Sequence, residues 1–461
     1  MSNPAPRRAP RRTAETWSSH LGFYLAVAGA AIGLGTLWRF PFLVGQYGGG
    51  LFVLVFAAAC VVIATPLLIA EFMLGRRGGS NVPAAAARVA VAAGHSSRWA
   101  AIGWLGTLAI FLIMSYYGVI GGWVLEYVAA YALGETRGLD RLALGLRFES
   151  LLANPWRLAF WQAVFMTVTV LISSGGLRRG IELGNKIMMP GLFLILVGLG
   201  IYAMQQGDAA AALRFLTTAD PAQLSGDLVL AAVGQAFFAT GVGMAIMIAY
   251  GSHVAEDQSL PKAAVVVVAS IIAASVLASL LIFPLVFGNG VDPAQGPQLA
   301  FIVLPSIFVD MPGGGFVGTL FFVLLGFAAL TSSIAGLEPA AGWLMERLGM
   351  GRVRAVSLVA LAAWLLGLTT VLSFNHWRDW HPLDSYERFA TATLFDLTDF
   401  LAANLLLPLG AFLTCVLVGW RLERETFAAH FGAHSRLRGV LLLLLKYLCP
   451  LAIVGVLVSA F

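Results

Sequence analysis

The stretch WSSHLGFYLAVAGAAIGLGTLWRFPFLVGQYGGGLF (residues 17–52) decides how the rest of the chain is read. It is apolar over the roughly 20 residues that carry a helix across a bilayer. In its middle stands GAAIGLG (residues 29–35), which weakens the helix at the depth where an unpaired backbone group costs most. Taken alone, a glycine-rich segment reads equally as close helix packing through small residues. A second such place changes the balance: FFATGVGMA (residues 237–245) interrupts the sixth apolar segment, five segments after the first. Matched breaks are expected when two halves of a membrane protein are related by an inverted repeat. Half-helix ends at the midplane then offer amides to an anion and carbonyls to a cation. No sequence identity between the halves is visible, so the repeat rests on the matched breaks.

The composition sets the same frame. The 461 residues are 59% hydrophobic and 11% charged, against about 25% charge in a soluble domain, which excludes a soluble enzyme. Mean hydropathy is +0.86. Eleven apolar segments fall near residues 20–43, 50–75, 99–132, 158–173, 187–204, 227–250, 263–288, 314–345, 354–373, 396–420 and 438–460. The expected fold is an all-α membrane protein of about 11 transmembrane helices, a 5+5 inverted repeat with segments 1 and 6 broken. The expected layout is a cytoplasmic tail (1–19), a first repeat (20–204), a second repeat (205–420), then a cytoplasmic loop and segment 11 (421–461). Arginines and lysines follow the alternation of loops with a bias of about threefold toward one side, which predicts a cytoplasmic N-terminus and an outside C-terminus. The net charge of +5 is thus a marker of membrane sidedness rather than of a nucleic-acid partner. Cys60, Cys415 and Cys449 have the spacing of neither a metal site nor a disulfide framework. The seven histidines show no ligand spacing, and no catalytic constellation appears.

With these residues in view, the chain resembles the neurotransmitter:sodium symporters, in particular bacterial amino-acid:sodium symporters with the leucine-transporter fold. The likeness begins in residues 17–52. It continues in PLLIAEFMLGR (66–76), the Tyr116 and Tyr117 pair, GIELGNKIMMP (180–190), VGQAFF (233–238), LAFIVLPSIFVDMPGG (299–314), ALTSSIAGLEP (329–339) and Asp399. Members of that family are a standard example of half-helices forming a transport site, so the family likeness and the argument from breaks are not independent.

The resemblance implies sodium coupling. One sodium site would use the carbonyls of Gly29, Ile32 and Ala328 with the hydroxyls of Thr331 and Ser332. A second, against the substrate, would fall on Ala31, Thr36, Ala239 and Ser270, where the family usually carries more oxygen. It is read as weakened. Phe56 and Ala274 replace usual chloride ligands and leave Gln235, so chloride is not expected. The substrate pocket would be built from Ala30, Leu34, Gly35, Ile113, Tyr117, Phe238, Gly241, Met244, Ser332 and Gly336, with Tyr117 donating to a substrate carboxylate and Phe238 closing the pocket from outside. Gly33 stands where monoamine carriers have an aspartate, which favours an amino acid. Gly241 and Gly336 leave room for a large apolar or aromatic side chain. Arg39 and Asp399 would form the outer gate. The inner gate would use Glu346, with Ala14 at the usual arginine position and Arg11 or Arg12 nearby. The Gly180 and Pro190 pair would let segment 5 unwind toward the cation. Glu71 reads as a neutral carboxyl on exposed backbone, and Glu338 leaves a proton role open.

The function expected is a sodium symporter importing an amino acid by alternating access. A transporter-like sensor or scaffold, or a symporter of an osmolyte or amino-butyrate, is the alternative. The expected partners are the small-molecule substrate and the bilayer. The oligomeric state is not legible.

Overall fold

The computed structural model describes residues 15–292, 299–428 and 437–461. Among them, nine helices are long and apolar enough to cross a bilayer, with a tenth if His20–Ala31 and Gly35–Gln46, bent by 57° at their junction, count as one. The nine are Gly50–Gly78, Ser97–Ala132, Pro155–Ser174, Leu177–Gln206, Leu260–Gly288, Gly314–Arg347, Arg352–Ser373, Leu394–Arg421 and Leu437–Ser459. They correspond to segments 2 to 5 and 7 to 11, and the bent pair is segment 1. The protein is therefore an all-helical, multi-pass membrane protein with a broken first span.

Segment 6 is two short helices, Gly226–Thr240 and Ile246–Gly251. Each is too short to cross alone. Between them the backbone turns left-handed at Gly241 (φ 66°), Gly243 (φ 84°) and Ala245 (φ 62°). The first two positions suit glycine. Ala245 is the one non-glycine among the described residues with positive φ, a conformation costing about 1–2 kcal/mol.

Helix starts follow from polar caps. Ser19, Asn81, Asp140, Asn154, Ser225 and Ser259 each accept a backbone N–H of the first turn, which satisfies donors that the helix itself leaves open. Segment 5 begins ten residues before the apolar count suggests, at Leu177 rather than 187, because Arg178, Arg179, Glu182 and Lys186 interrupt the hydropathy without interrupting the helix.

Small residues let the segments approach closely. A Cβ at Gly122 would lie 2.7 Å from the Gln162 amide nitrogen of segment 4, and one at Gly106 would lie 2.7 Å from the Gly243 carbonyl in the segment 6 break. Segment 3 packs against segments 4, 8 and 9, while the first half of segment 1 packs against 5, 7 and 8. The two breaks thus meet in the interior. Bulky apolar groups such as Leu171, Leu194 and Leu451 face outward, toward the lipid tails.

Candidate functional site

The site starts from the breaks. The segment 1 helix ends at Ile32 with ψ 84°, and a tight turn follows in which Gly33 N–H donates to Ala31 (3.1 Å) and Thr36 N–H to Gly33 (3.0 Å). The segment 6 break is held from outside: Glu71 accepts the Gly243 N–H at 2.7 Å, and a Cβ at Gly243 would run into the Leu407 carbonyl. Glu71 thus serves exposed backbone, as its place in the sequence suggested.

One cavity of about 50 Å³ lies where the breaks face segments 3 and 8. Its walls include Ala30, Leu34, Gly35, Ile113, Tyr117, Phe238, Gly241, Met244 and Ser332. Tyr117 Oη accepts the Leu34 N–H at 3.3 Å. Gly33 lies beneath two hydroxyls, since a Cβ there would stand 2.6 Å from Ser332 Oγ and 3.0 Å from Tyr117 Oη. The Phe238 ring covers Gly35, where a Cβ would be 2.5 Å from Phe238 Cε1. Beyond this ring opens a vestibule of about 320 Å³ that shares Leu34, Gly35, Tyr117 and Phe238 with the inner cavity.

Gly336 is the exception in this group. It does not line the cavity, because Met114 from segment 3 occupies the space a side chain would take. A methionine arriving from another helix leaves no mark in sequence. Room at Gly241 is real: a Cβ there would meet nothing closer than Met247 Cε at 3.5 Å.

Of the five oxygens expected to hold a cation, three are backbone carbonyls and two are side-chain hydroxyls. Ser332 Oγ donates across to the Gly29 carbonyl at 3.4 Å. Thr331 Oγ1 stands 2.9 Å from the Phe327 carbonyl and 3.1 Å from that of Ala328, in its own helix. Ile32 is the residue on which the half-helix ends.

The second group comes together only in part. Thr36 Oγ1 is 3.5 Å from the Ala31 carbonyl, and Ala31, Thr36 and Ala239 share the cavity. Ser270 does not join them: it is half-buried and absent from the cavity wall, while the fully buried face of its helix carries Val267, Ile271, Ala274 and Ser275. Ser275, whose buried hydroxyl has no partner among the described residues, is the polar group on this face that the sequence did not single out. Nearby in chain logic, Phe56 is packed on Phe40 with ring centroids 4.6 Å apart. The Gln235 amide already donates to the Gly35 carbonyl at 2.9 Å.

Arg39 and Asp399 both line the outer vestibule but form no direct ion pair there. The Arg39 guanidinium sits 5.0 Å from the centre of the Phe238 ring, and Asp399 accepts from Tyr116 Oη at 2.7 Å. On the opposite side, Glu346 is taken up by the segment 2 to 3 connection, accepting from Ser80 Oγ, from the Asn81 N–H at 2.7 Å and from Arg88 at 3.4 Å. The expected partners Arg11 or Arg12, and Ala14 at the usual arginine position, lie outside the described residues. Other ties stand on this side among the described residues. Trp17 Nε1 donates to the Tyr250 carbonyl at 3.2 Å, Glu182 accepts from Ser18 and pairs with Lys186 at 2.7 Å, and Glu338 pairs with Arg352 at 2.5 Å. The last pair was missed. Part of its signal was available, because a buried acid needs a partner, but Arg352 stands 14 residues on, at the start of the next helix.

The model of the "Sodium:neurotransmitter symporter family" matches residues 14–134 and 144–461. An uncharacterised sodium-dependent transporter of Bacillus subtilis, YhdH, is 35% identical over 446 residues, covering 95% of this chain and 96% of its own length. An uncharacterised sodium-dependent transporter of Haemophilus influenzae is 33% identical over 421 residues, covering 89% and 90%. The crystal structure of MhsT in complex with L-phenylalanine superposes with a TM-score of 0.88 at 38% identity, over 97% of this chain and all of MhsT. The two broken segments, the cavity between them and these full-length matches agree with the likeness read in the sequence, and the chain belongs to the sodium:neurotransmitter symporter family as a sodium-coupled membrane transporter rather than an enzyme.

Proposed function

We propose that this chain imports an amino acid with a large apolar or aromatic side chain, moving it with one sodium ion by alternating access. The observation that carries the reading is the cavity where the two breaks meet. It has a polar end, formed by the Tyr117 and Ser332 hydroxyls around Gly33, and an apolar remainder formed by Ile113, Met244, Phe238 and the open space at Gly241. A side chain at Gly33 would block the polar end, so a substrate must bring its own carboxylate to the Tyr117 phenol and the turn amides. The apolar end favours a large hydrophobic group. MhsT, similar at 38% identity, was crystallised with L-phenylalanine, which supports the same class of substrate here.

For the ion, the argument is the direction of Ser332. A hydroxyl on a membrane helix ordinarily bonds back to its own carbonyls, as Thr331 does. Ser332 reaches to Gly29 in another segment instead. Gly29, Ile32, Ala328, Thr331 and Ser332 then form the sodium site, and Ala239 with the turned-away Ser270 leaves the second site without enough oxygen. Phe56, Ala239 and Ala274 leave chloride almost alone with Gln235, whose amide already donates to Gly35.

In this reading segment 6 spans the bilayer as a broken helix. The chain has 11 spans, with segments 1–5 and 6–10 as inverted repeats, N-terminus cytoplasmic and C-terminus outside. Segments 1, 2, 6 and 7 move against the rest. The π-helical turn Leu177–Glu182, at the start of the Gly180 to Pro190 stretch, is the place where segment 5 would loosen to admit water. Screening the amino acids for thermal stabilisation of the purified protein in sodium tests the substrate class, since a ligand of the native state raises its apparent stability. L-Phenylalanine and its large apolar relatives are expected to stabilise in sodium and not in potassium. Stabilisation by small or charged amino acids alone would overturn the assignment.

A further inference from the structure

Segments 10 and 11 lie side by side at their cytoplasmic ends, where the helices depart from regularity together. Both contain a π-helical turn at the same level, Leu417–Arg421 and Leu444–Leu448. Pro450 has no N–H to give to the Lys446 carbonyl one turn back. That carbonyl accepts from Trp420 Nε1 of segment 10 instead, at 3.0 Å. The swap brings the helices into contact at Gly419, where a Cβ would lie 3.2 Å from Lys446 Cγ. The Lys446 ammonium sits 5.6 Å from the centre of the Trp420 ring, and Tyr447 packs on the same indole at 5.3 Å.

Beside this contact is a cavity of about 530 Å³, unconnected with the transport site. Phe412 and Val416 form one wall and Pro450 the other, while Arg421 and Lys446 stand at one end with Trp420. Neither cation forms a salt bridge with a carboxylate among the described residues. The groove is therefore apolar along its length and doubly positive at its mouth. Trp420 and Tyr447 are half or more exposed (53% and 57%), and such aromatics mark the headgroup level of a bilayer.

We propose that this groove binds an anionic phospholipid of the cytoplasmic leaflet, with the headgroup phosphate between Lys446 and Arg421 and an acyl chain along Phe412, Val416 and Pro450. Two cations with no carboxylate partner among the described residues attract a negative headgroup. The apolar walls running from them toward the bilayer interior distinguish a lipid from a free anion. The site is independent of the substrate reading, apart from the orientation that puts these ends on the cytoplasmic side.

The test is native mass spectrometry of the full-length protein in mild detergent, titrated with palmitoyl-oleoyl phosphatidylglycerol or phosphatidylcholine. Phosphatidylglycerol is expected to bind roughly tenfold more tightly than phosphatidylcholine, with the preference lost in the Lys446→Gln, Arg421→Gln double variant. Val416→Trp, which fills the groove and keeps both cations, is expected to lose it too. Inorganic phosphate in excess is expected to leave the lipid bound. A preference unchanged in the double variant would overturn the proposal, as would displacement by inorganic phosphate. A preference surviving in Val416→Trp would show surface charge without a groove and equally overturn it. A dimer mass that persists without lipid and vanishes in Val416→Trp would give the groove to a second copy of the chain.

Discussion

Ser332 is the residue on which the ion argument turns, because its hydroxyl leaves its own helix for the Gly29 carbonyl. Replacing Thr331 and Ser332 together by alanine removes two of the five proposed ligand oxygens. Sodium-dependent uptake is expected to vanish while the protein still elutes as a folded species, and uptake at normal sodium affinity would place the ion elsewhere. Gly33→Asp puts a carboxylate beneath the Tyr117 and Ser332 hydroxyls, where a substrate carboxylate would have to sit. Binding of L-phenylalanine, read by thermal stabilisation in sodium, is expected to weaken at least about tenfold, or roughly 1.4 kcal/mol. The two glycines that the sequence places at the pocket behave differently. Gly241→Ala adds a methyl beside Met247 at a left-handed φ of 66° and is expected both to lower the melting midpoint and to shift preference toward smaller substrates by about 1–3 kcal/mol per methylene lost, measured by competition. Gly336→Leu meets Met114 and is expected to lower the melting midpoint instead. Much of the cavity was legible because its residues sit in contiguous motifs around two breaks. Gly336, Ser270 and Glu346 were not, because a helix face one residue out of register, or a side chain arriving from another segment, is invisible in one dimension.

At the scale of helices, the breaks in segments 1 and 6 were written in glycine, whereas charges disguised the start of segment 5 and the pairing of Glu338 with Arg352. A further charged knot holds an outer element. Glu126, with its side chain 1% exposed, accepts from Arg147 at 2.8 and 3.0 Å and from Arg157, and so ties the helix Arg141–Ala153 to segment 3. Burial alone would lower the proton affinity of Arg147, but its bonds to Glu126 and Glu135 outweigh that and raise it. Removing one member of a buried pair leaves uncompensated charge and costs about 3–5 kcal/mol. Glu126→Ala is therefore expected to lower the thermal midpoint markedly and to open residues 141–153 to protease. Protection equal to that of the native chain would show that apolar packing alone holds this helix. The helix itself could be anticipated from Asp140 as a cap, but its partners on segment 3 could not.

Taken as a whole, the molecule has a narrow ring, Phe238, between the central cavity and an outer vestibule, and on the inner side a set of ties from Trp17, Glu182 and Glu338. On the proposed orientation, that asymmetry suits import with sodium, the vestibule facing outward and the fastened side inward. One sodium per substrate then requires sodium activation with a Hill coefficient near one and no chloride requirement. The most direct measurement is uptake of labelled L-phenylalanine into proteoliposomes, with the reversal potential determined at several fixed sodium and substrate gradients. Accumulation is predicted only with an inward sodium gradient, at a reversal potential set by one sodium ion. Saturable binding without accumulation, or accumulation unaffected by replacing sodium with potassium, would contradict the account.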